Sequence, residues 1–151
     1  MKPRFVDLEA FTVMGIQVHA MPDEVDFAAF WEEQFMPHLH ALRALSTDQA
    51  CYGVWFPHRE DGIPDYLAGM AVPEGSPVPD GLVARQVPAA RYAVFDCSIE
   101  EIGRIYGYVY NTWLPQSDYE FPDGCADFEY YPPEEAEEAS PAVHIPIREK
   151  T

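Results

Sequence analysis

The sequence predicts an α+β fold in which two βαββ units form one antiparallel sheet, with helices on one face and a central ligand cleft. Three observations carry this. The order strand, helix, strand, strand can be read twice along the 151 residues. A segment rich in Pro and Gly, Pro73 to Gly81, separates the two readings near the midpoint. Each half alone would leave a sheet edge and an apolar face uncovered, whereas two halves can share one sheet. A single domain over residues 1–151 is expected, with pseudo-repeats at roughly 1–73 and 82–151.

The first half opens with Phe5-Val6 and Phe11 to Val18, two strand-like runs joined by the polar stretch Asp7 to Glu9, which predicts a hairpin. From Asp23, a candidate N-cap, apolar residues recur at Phe27, Phe30, Trp31, Phe35, Leu39 and Leu42, the spacing of one helical face. Pro37 should kink or interrupt that helix. Tyr52 to Phe56 and Tyr66 to Val72 follow as strands, separated by a turn from Arg59 to Pro64.

The second half begins with Leu82 to Ala84 and Arg91 to Phe95. Ser98 with Glu101 three residues on is a capping box, opening a helix whose apolar face is Ile99, Ile102, Ile105, Tyr106, Val109 and Trp113. Pro115 should stop it. Phe128 to Tyr131 and Val143 to Ile147 supply the last strands. The helices are expected on one face and the cleft on the other, at the junction of the halves.

Composition narrows the function classes. Nine Lys and Arg against 26 Asp and Glu give a formal charge of -17, which argues against direct nucleic-acid contact, because that affinity comes largely from cations neutralising phosphates. Cys51, Cys97 and Cys125 show no C-x-x-C spacing, so neither a disulfide framework nor a zinc site is indicated, and a reducing cytoplasm suits them. No apolar run is long enough for a membrane span or signal peptide. The acidic run Glu134 to Glu138 reads as a solvated connector.

The leading candidate for function is Glu129, an acid inside the aromatic strand Asp127-Phe128-Glu129-Tyr130-Tyr131. An ionised carboxylate costs several kcal/mol to bury unpaired, so it must face water or await a positive partner. In the duplicated reading Val54 occupies the corresponding place, so the fold itself does not require the acid. Strand alternation puts Asp127, Glu129 and Tyr131 on one side, and Phe128 and Tyr130 on the other, under the helices. Tyr92 and Trp113 rank first as cleft walls, followed by Tyr66, Tyr52, Phe56 and Tyr131. His38 and His40 lack the i, i+4 spacing of a helical metal pair, and His19, His58 and His144 stand alone, so no metal site is expected. No glycine-rich phosphate loop or nucleophile signature points to a cofactor or covalent catalysis.

Taken together, the Trp31 helix, Tyr52-Gly53-Val54, Asp65 to Gly69, Val87 to Phe95, Trp113-Leu114-Pro115, Phe128-Glu129-Tyr130 and Ile145-Pro146-Ile147 resemble the GyrI-like effector-binding domain of AraC-type and MerR-type multidrug regulators, an SHS2-type duplication. The resemblance spans nearly the whole chain. It implies a small-molecule-binding protein for hydrophobic, cationic or electrophilic compounds, with Glu129 pairing with the cation inside an aromatic pocket. It also implies two alternatives. Stand-alone members hydrolyse cyclopropanoid natural products, which would make Glu129 and Tyr92 catalytic, and another precedent inhibits gyrase by protein contact, which with regulator chains gives a possible protein partner. The first strand begins within a few residues of Met1, so no room is expected for a helix-turn-helix module.

Overall fold

The computed structural model describes residues 2–57 and 60–151. Met1, His58 and Arg59 lie outside the described residues, and with them the expectations for His58 and for the first residue of the turn at Arg59. The strands are β1 (Arg4–Leu8), β2 (Phe11–His19), β3 (Cys51–Phe56), β4 (Asp65–Val72), β5 (Val83–Val87), β6 (Ala90–Asp96), β7 (Tyr119–Glu120), β8 (Asp127–Tyr131) and β9 (Ala142–Glu149). They form one antiparallel sheet in the order β1-β6-β9-β8-β3-β4-β2-β5, with the short β7 paired to β9. The two helices span residues 27–45 and 99–116. This is the α+β duplication read from the sequence.

The predicted entry hairpin is replaced by a strand exchange. β1 pairs with β6 of the second half, and β5 pairs with β2 of the first, so each leading strand lies at the far side of the other unit. The symmetry is close. Arg4 to Val83, Leu8 to Val87 and Phe11 to Ala90 are the same step of 79 residues. Only Glu9 and Ala10 link β1 to β2, a reach of about 11 Å at 3.8 Å per residue, although six strand spacings of about 4.8 Å separate the two strands in the sheet order. The sheet must therefore curl until its ends approach.

Curling gives the two faces different fates. Tyr52, Val54, Phe56, Leu67, Tyr92, Val94 and Phe128 fill the helix-free face with one continuous core. Phe128 and Tyr130 belong to this side, not to the side under the helices as expected, because Tyr52 and Val54 register opposite Tyr130 and Phe128 and share their orientation. On the other face each helix covers its own half: Phe35 and Leu42 pack on Met14, Ala68 and Met70, while Ile105 and Val109 pack on Ala93, Phe95, Val143 and Ile145. The central pair β3·β8 lies between these two packed patches.

Local chemistry sets the helix ends and their irregularities. The first helix is capped by Asp26, whose carboxylate accepts from the Ala29 amide, whereas the predicted cap Asp23 sits in a preceding turn, Pro22–Glu24. Ser98 and Glu101 form the predicted capping box. Each helix widens into a π-helical turn, Phe30–Phe35 in the first and Val109–Trp113 in the second. Pro37 falls in a tightened turn, Met36–His38, that re-enters a regular helix at Leu39–Leu45, and the second helix runs past Pro115 to Gln116. Proline is accepted where an irregular turn has already removed the usual hydrogen bond.

Gly15 and Gly69 face one another across β2 and β4. A Cβ on Gly15 would lie 1.9 Å from the Ala68 carbonyl oxygen, and one on Gly69 would lie 2.3 Å from that of Met14, so the strands approach here as only glycine permits. Gly15→Ala should therefore destabilise the protein by about 2 kcal/mol or more in urea unfolding. Gly107→Ala, in an exposed helical position with open space around it, should stabilise by about 1 kcal/mol.

Candidate functional site

The gap between the helices is a cavity of about 1460 Å³ floored by β3 and β8. Corrected against the sequence reading, the cleft opens on the helix-bearing face, because the opposite face is filled by its own side chains. Strand alternation turns Cys51, Trp55, Asp127, Glu129 and Tyr131 into this gap, with Tyr66 beside them from β4. Phe27, Trp31 and Phe35 wall it from the first helix, and Ile102, Tyr106 and Tyr110 from the second.

Glu129 is 4% exposed. Its two oxygens are held separately: the Tyr66 hydroxyl donates to Oε1 at 2.6 Å, and the Tyr106 hydroxyl donates to Oε2 at 2.6 Å. Trp31 Nε1 in turn donates to the Tyr66 hydroxyl at 3.1 Å, so a residue on each helix orients the acid. Burial pushes the Glu129 carboxyl up to about 7, against the lowering effect of the Tyr106 and Tyr66 donors, and the neighbouring Asp127 adds to the rise. Among the described residues, no cationic side chain forms an ion pair with Glu129 or Asp127.

Asp127 is the second acid of the site. It is 8% exposed, accepts a short hydrogen bond from Tyr110, and is raised to about 6, mainly by burial. Both carboxylates are thus desolvated and partnered by phenolic hydroxyls, two on Glu129 and one on Asp127, which can donate to an anion without neutralising it.

Gly53 makes room for Glu129. The two are directly opposed in the β3·β8 register, and a Cβ on Gly53 would meet Glu129 Oε1 at 2.3 Å and the Tyr66 hydroxyl at 2.2 Å. The glutamate side chain therefore lies over bare backbone. This replaces the expected correspondence with Val54, which points to the other face and is fully buried there.

Of the residues singled out in the sequence, the structure brings Glu129, Tyr66 and Tyr131 together at the cavity. It places the other four elsewhere. Tyr92 is fully buried in the opposite core, 5.2 Å from Phe128 between ring centroids. Tyr52 donates to Asp48, and Phe56 lies under the Arg85 guanidinium at 3.9 Å. Trp113 packs on Phe95 under the second helix. Strand parity accounts for Tyr52 and Phe56, which share Val54's face. Sequence reading missed the role of Tyr106 and Tyr110, although their i, i+4 spacing put two hydroxyls on one helical stripe. Among the described residues, no group of three or more His, Cys, Asp or Glu side chains converges as a metal would require, and no helix is long and apolar enough to cross a membrane.

Comparison with known proteins adds a family to this geometry. The model of the family described as Cass2, integron-associated effector binding protein, matches residues 4–147. Transcriptional regulator BrlR of Pseudomonas aeruginosa is 33% identical over 133 residues, covering 87% of this chain and 48% of BrlR, so the chain spans about half the length of that curated relative. Two solved structures share the fold. SAV2435 bound to tetraphenylphosphonium superposes with a TM-score of 0.75 at 15% identity, covering 98% of this chain and 94% of that one. The integron cassette protein VCH_CASS2, from the mobile metagenome of Vibrio cholerae, gives 0.66 at 18% identity, with 98% and 97% covered.

The raised Glu129 carboxyl has a stability consequence. Its folded value lies above the ordinary 4.5, so the stability it contributes is fully present below about 4.5 and is lost as pH rises through about 7. Glu129→Gln removes that loss. The variant should be more stable than the parent at pH 8, by about 1 to 3 kcal/mol, with the difference vanishing near pH 5 in parallel denaturant titrations. Tyr106→Phe removes a donor to the carboxylate and should raise the apparent Glu129 pKa further, read by NMR titration of the labelled side chain.

Proposed function

The chain belongs to the Cass2 family of integron-associated effector-binding proteins, and we propose that it binds hydrophobic cations in the cavity between its helices, with Glu129 as their charge partner. One observation carries the reading: a carboxylate 4% exposed lies in an aromatic cavity with hydroxyl partners and no ion pair among the described residues. Burial carries a desolvation cost at this position, visible as the raised carboxyl. A bound cation offsets that cost, so the ligand's charge is worth more here than the same contact would be in water.

The walls suit the rest of such a ligand. Trp55 and Tyr66 lie 4.6 Å apart between ring centroids, with Phe27 5.2 Å from Tyr66 and Trp31 5.4 Å from Tyr131. Ring faces attract a positive charge by roughly 0.5 to 2 kcal/mol each as water is removed. Because Tyr106 donates its proton to Glu129, its oxygen keeps lone pairs and presents electron density at the cavity. Selection then rests on charge and apolar area more than on outline, the property expected of an effector site that accepts several compounds. The lipophilic cation held by SAV2435, a protein of the same fold, supports this ligand class.

Calorimetry with tetraphenylphosphonium at pH 8 tests the proposal. The parent protein should bind it, and Glu129→Gln should weaken binding by about tenfold to a hundredfold, the range of a lost charge-assisted contact. Parent affinity should fall as pH drops from 8 to 6, because protonation of Glu129 removes the partner charge, and Glu129→Gln should show a flatter profile. Equal affinity for the parent and the variant would overturn the reading.

A further inference from the structure

The cavity is chemically lopsided although its frame is symmetric. The two helices face one another across the floor strands, but their cavity-facing residues differ in kind. On the first-helix side, Phe27, Trp31 and Trp55 form an aromatic chamber. On the second-helix side stand two tyrosines, and each donates to a buried acid, Tyr106 to Glu129 and Tyr110 to Asp127. One side is a hydrocarbon wall and the other a pair of anionic seats.

From this arrangement we propose that the preferred ligand is a dication: a flat aromatic body seated on the first-helix side and two positive centres a few bonds apart, one on Glu129 and one on Asp127. The proposal rests on the cation-binding reading above and deepens it. Asp127 and Glu129 are two residues apart on one strand face, so their backbone positions are about 7 Å apart along β8, a span that a three- or four-carbon chain between two cationic nitrogens can bridge.

Three features separate Asp127 from a merely structural acid. It lines the cavity although only 8% exposed. One of its oxygens accepts from Tyr110, and the other has no side-chain donor among the described residues. Arg43 borders the cavity from an exposed position but pairs with neither carboxylate. A single cation on Glu129 therefore leaves a second buried carboxylate without a counter-charge, and two anions in one low-dielectric space repel. Size agrees, since about 1460 Å³ exceeds the roughly 300 to 1,000 Å³ common for drug-sized ligands.

Ethidium and propidium share one phenanthridinium ring system, and propidium adds a quaternary ammonium on a three-carbon chain. Their dissociation constants should be measured by fluorescence at pH 8 and fixed ionic strength for the parent protein, Asp127→Asn, Asp127→Glu and Glu129→Gln. The parent should bind propidium at least tenfold more tightly than ethidium. Asp127→Asn should erase that preference by weakening propidium at least tenfold more than ethidium, Asp127→Glu should retain it, and Glu129→Gln should weaken both dyes. Equal affinity of the parent for the two dyes overturns the dication proposal and needs no variant to fold. So does an Asp127→Asn that weakens both dyes alike. If Glu129→Gln affects neither dye, or the parent binds neither, the cation-binding reading itself fails.

Discussion

The site depends on the register that sets Gly53 opposite Glu129 in the central strand pair. Without a side chain at Gly53, the glutamate lies flat over backbone and reaches two hydroxyls from different elements, Tyr66 on β4 and Tyr106 on the second helix. A shift of one residue would turn Glu129, Asp127 and Tyr131 into the packed face, where a carboxylate has no donors and no room. The register is held by what lies behind it, because Val54 and Phe128 pair on the far side within a closed aromatic core. Packing on one face thus fixes polar geometry on the other.

Strand exchange supplies the second constraint. With β1 on the second half and β5 on the first, neither half completes its own sheet, and the two-residue links draw the ends of the sheet together. The interior of the curl is then occupied by side chains such as Tyr92, Phe128 and Val94. Space is left on the outside, between two helices that each pack on their own half and leave the strands at the pseudo-twofold uncovered. The cavity is a consequence of duplication. Its asymmetry comes from a few residues, Glu129 against Gly53 in the central strands and the acid-holding Tyr106 and Tyr110 across from Phe27 and Trp31.

Stability and binding pull in opposite directions at the same atoms. Burial raises both carboxyls, so the site carries two desolvated acids partnered by hydroxyls. An amide side chain would avoid the buried charge, whereas under the proposed function a positive ligand is what makes the acids favourable. Desolvated charge held on a rigid scaffold is one way to reserve free energy for a ligand of opposite charge.

The sequence by itself determined the elements, the duplication, the α+β class and the importance of an acid in an aromatic strand, because periodicity, turn residues and the cost of burying charge are local properties of the chain. Parity along β8 was also legible, and it put Asp127, Glu129 and Tyr131 on one side. Which face that side was, and who its neighbours were, depended on pairing between distant segments. In the sequence Tyr92 ranks above Tyr66, with Tyr52 and Phe56 beside it, yet curling buries these three in the opposite core, while Tyr106 and Tyr110 on the second helix hold the two acids. Only the tertiary structure decided that, since a strand's two faces are equivalent until the sheet bends and helices occupy one of them.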